Sequence, residues 1–308
     1  MGGAALALRR WPALVGAALA CALLLAGAVV AAGVVLARPA QVTIGAAPPD
    51  LTAEDVSFVS FSGTLLRGWF LSGRPGGGAV VLMHGVRANR ASMLSRARVL
   101  HAAGFAVLLF DFQAHGESVG ERITFGYLEA RDARAAVDYL RGRVPGERIG
   151  ALGMSLGGAA SLLGYRPLPV DALVLEAVYP TIDAALANRI VVVLGPVAGT
   201  VLAPGLTRLF VLLLPRILGV DADALRPIDR IDEVSAPVLV AAGTADTRTT
   251  LAETRALFAR AREPKQLWTV EGAGHIDLEA HAPEEYRRRV VGFLAERLQQ
   301  IAVPNPSR

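Results

Sequence analysis

Ser155 sits in Gly153-Met154-Ser155-Leu156-Gly157, followed at once by Gly158. The apolar run 148–154 predicts a strand and 156–164 predicts a helix. A G-x-S-x-G nucleophile elbow demands that strand–turn–helix context, because the tight turn projects the serine hydroxyl from the end of a sheet. The first N–H groups of the helix then face the place where negative charge develops on an attacked carbonyl. A serine in an ordinary glycine-rich turn is the bland alternative, and the flanking strand and helix argue against it.

A serine nucleophile needs a base, and the base needs an orienting carboxylate. Two histidines follow Ser155, His275 and His281. His275 ends Glu271-Gly272-Ala273-Gly274-His275, a loop directly after a predicted strand at 266–270, and its small neighbours let it approach another loop. His281 lies in a polar stretch before the last predicted helix and reads as a surface residue. Asp246, in Gly243-Thr244-Ala245-Asp246, directly follows a predicted strand at 237–242, so it falls at the carboxyl edge of the sheet, where active sites of open α/β folds gather. Asp229 and Asp232 precede that strand, and Asp277 is close to His275 in sequence. The expected triad is therefore Ser155, Asp246 and His275.

An oxyanion hole needs two backbone donors. The N–H of Leu156 is one. The other falls in His84-Gly85-Val86-Arg87-Ala88-Asn89, after a predicted strand at 79–83, and Val86 is the expected donor. His84 and the loop Asp111–Ser118, which contains His115, read as structural braces. No Cys/His cluster has metal-ligand spacing, so neither a metal nor an organic cofactor is expected.

The elements that must position these residues alternate along the chain. Strands are expected at 56–61 and 64–71, joined at Ser62-Gly63, then at 79–83, 105–110, 148–154, 171–178, 237–242 and 266–270. Helices are expected at 91–103, 127–141, 156–164, 249–262 and 283–299. Short apolar strands alternating with helices imply an α/β fold with a mainly parallel central sheet flanked by helices.

Five motifs in order now resemble the α/β-hydrolase superfamily, and its bacterial serine hydrolases in particular: His84 to Asn89, Asp111 to Ser118, Gly153 to Gly157, Gly243 to Asp246 and Gly272 to His275. The resemblance covers roughly residues 55–300. Similar proteins include esterases, lipases, thioesterases and acyl-peptidases. In one place the chain departs from the pattern. Beyond the acid the family often has an apolar residue and a proline, whereas Arg248 and Thr249 stand here. The resemblance also implies a cap inserted at about 180–235. In this chain the insertion contains Ile190–Leu194, Val197–Leu202 and Leu209–Leu214, interrupted by Gly195, Pro196, Pro204, Gly205 and Pro215. Those interruptions predict short apolar helices over the site rather than a clean membrane span, and an apolar acyl substrate rather than a sugar or a charged molecule.

Hydrophobic residues make up 53% of the 308 and the mean hydropathy is +0.44, with the excess concentrated at 13–37 and 190–220. Ala13 to Ala37 is an uncharged run of 25 residues, long enough for a helix to cross a hydrocarbon core of about 30 Å. Arg9 and Arg10 precede it, and Arg38, Asp50, Glu54 and Asp55 follow, so the positive-inside rule puts the N-terminus in the cytoplasm and the main domain outside. A cleaved secretory signal, with a processing site near Ala31, Ala32 and Gly33 and a secreted product, is the rival reading. The domain plan is thus a membrane anchor at 1–38, a linker at 39–53 and a hydrolase domain at 54–308. The net charge of +4 comes almost wholly from arginine, and no nucleic-acid-binding motif accompanies it. Cys21 is the only cysteine, so no intramolecular disulfide can form.

The expected reaction is hydrolysis of a carboxylic ester of an apolar acyl substrate through an acyl-enzyme. Cleavage of an amide or thioester by the same triad, or a non-catalytic membrane-anchored scaffold, are the alternatives.

Overall fold

The computed structural model describes residues 23–275 and 277–300, together with Gly16 and Ala20. An eight-stranded sheet forms the centre. Its strands are β2 (Ala53–Val59), β3 (Leu65–Leu71), β4 (Ala79–Met83), β5 (Ala106–Phe110), β7 (Ile149–Met154), β8 (Ala172–Glu176), β9 (Val238–Gly243) and β10 (Lys265–Val270). The two-residue strands β1 (Ala40–Gln41) and β6 (His115–Gly116) pair with each other separately. The order across the main sheet is β10-β9-β8-β7-β4-β5-β3-β2. The six strands from β10 to β5 run parallel, and the β2–β3 hairpin adds antiparallel to one edge.

Both faces of the parallel strands are buried, which explains why their sequences are continuous apolar runs rather than alternating ones. In β4, Ala79, Val81 and Met83 join one core layer, while Val80 and Leu82 join the other. In β5, Ala106, Leu108 and Phe110 divide from Val107 and Leu109 in the same way, because side chains alternate across a strand. Helices α3 (Glu129–Arg143) and α4 (Leu156–Leu162) cover the first layer through Ala133, Val137, Leu140, Leu156 and Ala159. Helices α2 (Leu94–Ala102) and, further along the chain, α10 (Gly292–Leu298) cover the second through Ala97, Leu100, Phe293 and Leu298.

The insertion differs from expectation. It forms a helical hairpin, α5 (Ile182–Leu194) and α6 (Pro196–Leu218). Gly195, at φ +81°, makes the turn, and Pro196 occupies the first turn of α6, where its missing N–H costs nothing. Pro204, Gly205 and Pro215 do not break the chain into short helices. They lie inside one helix of 23 residues that ends at Gly219 in the left-handed conformation. An interior proline removes one helical hydrogen bond and costs about 3 kcal/mol. Packing of Ala203, Phe210, Leu214 and Ile217 offsets that cost here. With an 18-residue window of mean hydropathy 1.9, α6 is long and apolar enough to cross a membrane by length and composition.

The described part of the N-terminal apolar run is α1, Leu23–Ala37. It lies so close to α6 that a Cβ on Gly33 would fall 2.7 Å from Ile217 Cδ1 and 3.0 Å from Phe210 Cζ. Apart from Gly16 and Ala20, the expected span before Leu23 lies outside the described residues, as do Cys21, Arg9 and Arg10. Residues 39–53 run along the domain. Ala40 N–H donates to Ala114 O at 2.7 Å, Val42 N–H donates to Gly116 O at 2.9 Å, and the N–H groups of Ile44 and Gly45 donate to Glu117 Oε1.

Those contacts converge on a buried ion pair. The Arg90 guanidinium joins Asp111 and Glu117, stacks over Trp69 with its Cζ 4.5 Å from the ring centroid, and its own N–H reaches Asp111 Oδ1 at 2.7 Å. N–H donation from Gly45, with the Arg90 guanidinium, holds the Glu117 carboxyl down at about 2. Arg90→Met would leave Asp111 buried without its cation. The expected loss is ~3 kcal/mol of unfolding free energy, read as a lower urea midpoint with an unchanged slope. An unchanged midpoint would show that the pair contributes nothing.

Candidate active site

The backbone turns from β7 into α4 at Ser155, which sits at φ +50°, ψ −109°. A non-glycine residue is strained there. The surrounding glycines make the turn possible by letting other groups approach. A Cβ on Gly153 would lie 2.4 Å from Gly158 N, one on Gly157 2.3 Å from Met83 O, and one on Gly158 2.1 Å from Val178 Cγ2. Ser155 N–H donates to Glu176 O at 2.8 Å, which ties the turn to the end of β8.

Asp246 and His275 come from loops after neighbouring strands, β9 and β10. A Cβ on Gly243 would fall 2.1 Å from Ala273 O, so glycine there lets the two loops meet. The His275 ring nitrogen Nδ1 donates to Asp246 Oδ2 at 2.8 Å. Asp246 Oδ1 accepts the N–H groups of Arg248 at 2.8 Å and Thr249 at 2.9 Å. Burial pushes the Asp246 carboxyl up, but the hydrogen bond and charge of His275, joined by the two N–H donors, outweigh it and hold the group below its ordinary value. Asp246 is thus held ionised and its free lone pairs are directed at the imidazole.

Ser155 and His275 line one cavity of about 250 Å³. Val86 and Leu156 line it too. Gly85 places the β4 loop beside the serine, since a Cβ there would stand 3.8 Å from Ser155 Cβ. Leu156 opens α4, where an N–H has no partner within the helix. The apolar wall is built by Leu36 of α1, Phe125, Tyr179, Ile182 and Leu186. Four of the five sequence-selected residues therefore line a single space, and Asp246 reaches it through His275.

The other candidates fall elsewhere. His281 ends α8 (Leu278–His281) on the exposed surface, and Asp229 and Asp232 form surface ion pairs with Arg226 and Arg260. Asp277 caps α8, accepts the Ser95 hydroxyl at 2.6 Å and pairs with Arg96 at 2.8 Å. His84 is fully buried. Its Nδ1 donates to Gly85 O at 2.7 Å and its Nε2 accepts Phe112 N–H at 3.1 Å, so partners on both sides fix one neutral tautomer.

Sequence reasoning missed the support behind the histidine loop. Arg96, wholly buried, donates through Nε and Nη2 to Glu176 Oε2, and the Tyr286 hydroxyl donates to Glu176 Oε1 at 2.6 Å. This cluster joins α2, β8, the segment after His275 and α9 (Pro283–Tyr286). No local signal could have found it, because its members are 80 and 110 residues apart. Leu36, Phe125 and Arg189 were likewise missed as cavity residues; only the fold brings them there.

The fold, the strained serine turn and the Asp246–His275 pair define an α/β-hydrolase. The profile of the S33 serine aminopeptidase family matches residues 75–209. The chain is 34% identical to Mycobacterium tuberculosis protein Rv2307c over 229 residues, 73% of each chain. It is 26% identical to Escherichia coli protein YfhR over 265 residues, 82% of this chain and 84% of that one. Among solved structures, Pyrococcus furiosus esterase Pf2001 superposes with a TM-score of 0.68 at 24% identity, covering 86% of this chain and 99% of that one. An esterase from Thermogutta terrifontis superposes with a TM-score of 0.58 at 18% identity, covering 80% and 100%. These two likenesses show the fold. The chain belongs to the α/β-hydrolase superfamily and is a hydrolase of that class.

Burial lowers the His84 imidazole to about 3, and the charge of nearby His115 adds to the effect. The unfolded chain takes this proton near pH 6.5 and the folded chain only near 3. Between those values the unfolded state holds more protons, so folding stability falls as pH falls from 6.5 and stops falling below about 3. In urea titrations between pH 7 and 5, His84→Gln should therefore reduce the pH slope of the unfolding free energy by up to about 1.4 kcal/mol per pH unit. Identical slopes in the two proteins would refute the assignment of His84 as a buried neutral brace.

Proposed function

We propose that this chain is a membrane-anchored serine hydrolase that cleaves a carboxylic ester of an apolar acyl substrate through an acyl-enzyme. The observation that carries the proposal is the 2.8 Å contact between His275 Nδ1 and Asp246 Oδ2 at a cavity that also holds Ser155. Nδ1–H donation to Asp246 leaves Nε2 as the free base of the imidazole. Nε2 takes the proton of the Ser155 hydroxyl as Oγ bonds to the ester carbonyl carbon. The N–H groups of Val86 and Leu156 receive the resulting oxyanion. His275 then returns the proton to the departing alkoxide, and an acyl group remains on Ser155. A water molecule, deprotonated by the same imidazole, attacks the acyl carbonyl, which releases the carboxylic acid and regenerates Ser155. Neither a metal nor an organic cofactor enters these steps.

The same triad could cleave an amide or thioester, and the aminopeptidase description of the matching family makes the amide reading specific. A peptidase that reads a free amine needs an acidic group in the pocket. Among the described residues no carboxylate lines this cavity. Glu176 is taken by Arg96 and Tyr286, and Asp183 lies on the far side of α5 against α6. The ester reading is therefore preferred to the amide one, and both to a non-catalytic scaffold.

The proposed anchor is the apolar run that ends in α1, with the N-terminus cytoplasmic and the hydrolase domain outside. The α5–α6 hairpin supports this reading. Residues 190–207 carry no charge, and Val193, Val197, Val201 and Leu212 are 67–81% exposed. Such a surface fits a bilayer.

Purified wild-type protein should label with a fluorophosphonate, and Ser155→Ala should not. Turnover of a short-chain p-nitrophenyl ester should fall by ~10⁴-fold or more in Ser155→Ala with the circular dichroism spectrum intact. Turnover like that of the wild type would exclude the serine mechanism. For the anchor, the full chain expressed in bacteria should stay in the membrane pellet after alkaline carbonate extraction. Release to the supernatant with the N-terminal sequence beginning near Ala32 or Gly33 would establish the cleaved-signal alternative instead.

A further inference from the structure

The cavity that holds Ser155 is lined by three arginines, Arg87, Arg189 and Arg248, and by no acid among the described residues. Asp246 sits behind His275 and is occupied by it. None of the three guanidiniums forms an ion pair among the described residues. Among the described residues the one hydrogen bond any of these guanidiniums makes is from Arg87 Nη1 to Arg38 O at 3.2 Å. Glu253, which meets the same Asn188 that holds Arg248 O, is already engaged. Glu253 accepts the Thr250 N–H and both of its oxygens accept from Asn188 Nδ2.

Asn188 also fixes the arrangement. Its Nδ2 donates to Arg248 O at 3.1 Å, which clamps α5 to the loop after Asp246. Arg189 is the next residue on α5, so the clamp brings Arg189 and Arg248 to the same cavity wall. Burial, and then the like charge of Arg248, pull the Arg189 guanidinium below its ordinary value. A half-buried cation, Arg189, and an exposed one, Arg248, line the same wall, with no carboxylate among the described residues lining the cavity between them. That arrangement is unfavourable in the empty protein and becomes favourable when an anion enters. The rest of the wall is apolar, from Leu36 through Phe125 and Tyr179 to Leu186.

We propose that Arg189 and Arg248 form an anion subsite, so that the substrate is an amphiphile carrying a phosphate or carboxylate group beside its acyl chain rather than a neutral ester. This rests on the reading of the cavity as the substrate site and narrows its substrate class. A guanidinium pairs bidentately with phosphate or carboxylate, and the pair set beside an apolar wall recognises both ends of such a molecule. It adds an anionic group to the apolar acyl substrate that the insertion implies.

The test measures binding, so it does not depend on turnover. Full-length protein in a neutral detergent is titrated by calorimetry with octyl phosphate, 1-octanol and inorganic phosphate. Octyl phosphate should bind at least tenfold more tightly than either of the others. In the double variant Arg189→Gln/Arg248→Gln the ratio of octyl phosphate to octanol affinity should fall at least fivefold. Arg248→Gln alone, at an exposed loop position, should lower it by a smaller factor and serves if the double variant does not fold. Equal affinities for the three probes, or a ratio that the variants leave unchanged, would overturn the subsite. Inorganic phosphate binding as tightly as octyl phosphate would overturn the amphiphile and leave a simple anion site. Fluorophosphonate labelling separates this result from the hydrolase reading. Selective octyl phosphate binding without labelling of Ser155 keeps the subsite and removes the serine mechanism, whereas labelling without selectivity does the reverse.

Discussion

Between β7 and α4 the chain reverses direction through one residue, Ser155 at φ +50°, and the neighbouring structure is built to hold that residue in place. Gly157 is pressed against Met83 O at the end of β4, Gly158 against Val178 beyond β8, and Gly153 against α4 itself. The serine is therefore wedged between the two strands that flank β7, and Ser155 N–H is spent on Glu176 O. Strain of about 1–3 kcal/mol at such a residue persists only where the surroundings over-determine it. Here the surroundings are the centre of an eight-stranded sheet buried on both faces.

Everything else at the carboxyl edge is arranged relative to that fixed point by buried polar groups. Arg90 and Asp111 secure the loop after β5. His84 bridges Gly85 O and Phe112 N–H, so the loop carrying Val86 is braced against its neighbour. Arg96 and Glu176 hold the segment after His275 through Asp277 and Tyr286. Buried ion pairs add little net stability against an apolar replacement, because desolvation cancels much of their attraction. Their value here is geometric. Each fixes a loop that has no regular structure of its own, and the loops after β4 and β10 line the same cavity as Ser155.

The cavity combines two environments that usually exclude each other. Its floor holds His275, backed by Asp246, whereas the walls from α1, α5 and the loop at Phe125 are largely apolar. Leu36 ties the N-terminal helix to the site directly, and Gly33 ties the same helix to α6. The apolar surface of α1 and of the α5–α6 hairpin is thus continuous with the wall of the cavity.

Much of this was legible in the residues. Short apolar strands, the G-x-S-x-G turn between a strand and a helix, and a histidine after the last strand are local patterns, and each follows from steric or solvation rules that act over a few residues. Strand positions agree with expectation to within a few residues; at the β2–β3 hairpin the turn takes Ser60–Thr64, so β2 begins and ends earlier than the apolar pattern indicated. The insertion was misjudged because prolines and glycines break helices in water, whereas Pro204 and Pro215 lie in a helix whose packed face compensates for the lost hydrogen bonds. The residues and their order along the chain were enough to single out Ser155, Asp246 and His275 as candidates and to name the sheet that carries them. The tertiary structure alone decided what stands behind the histidine loop, which residues wall the cavity, and that two arginines with no ion pair among the described residues share its rim. Those features join residues far apart in sequence, and no rule of local spacing reaches that far.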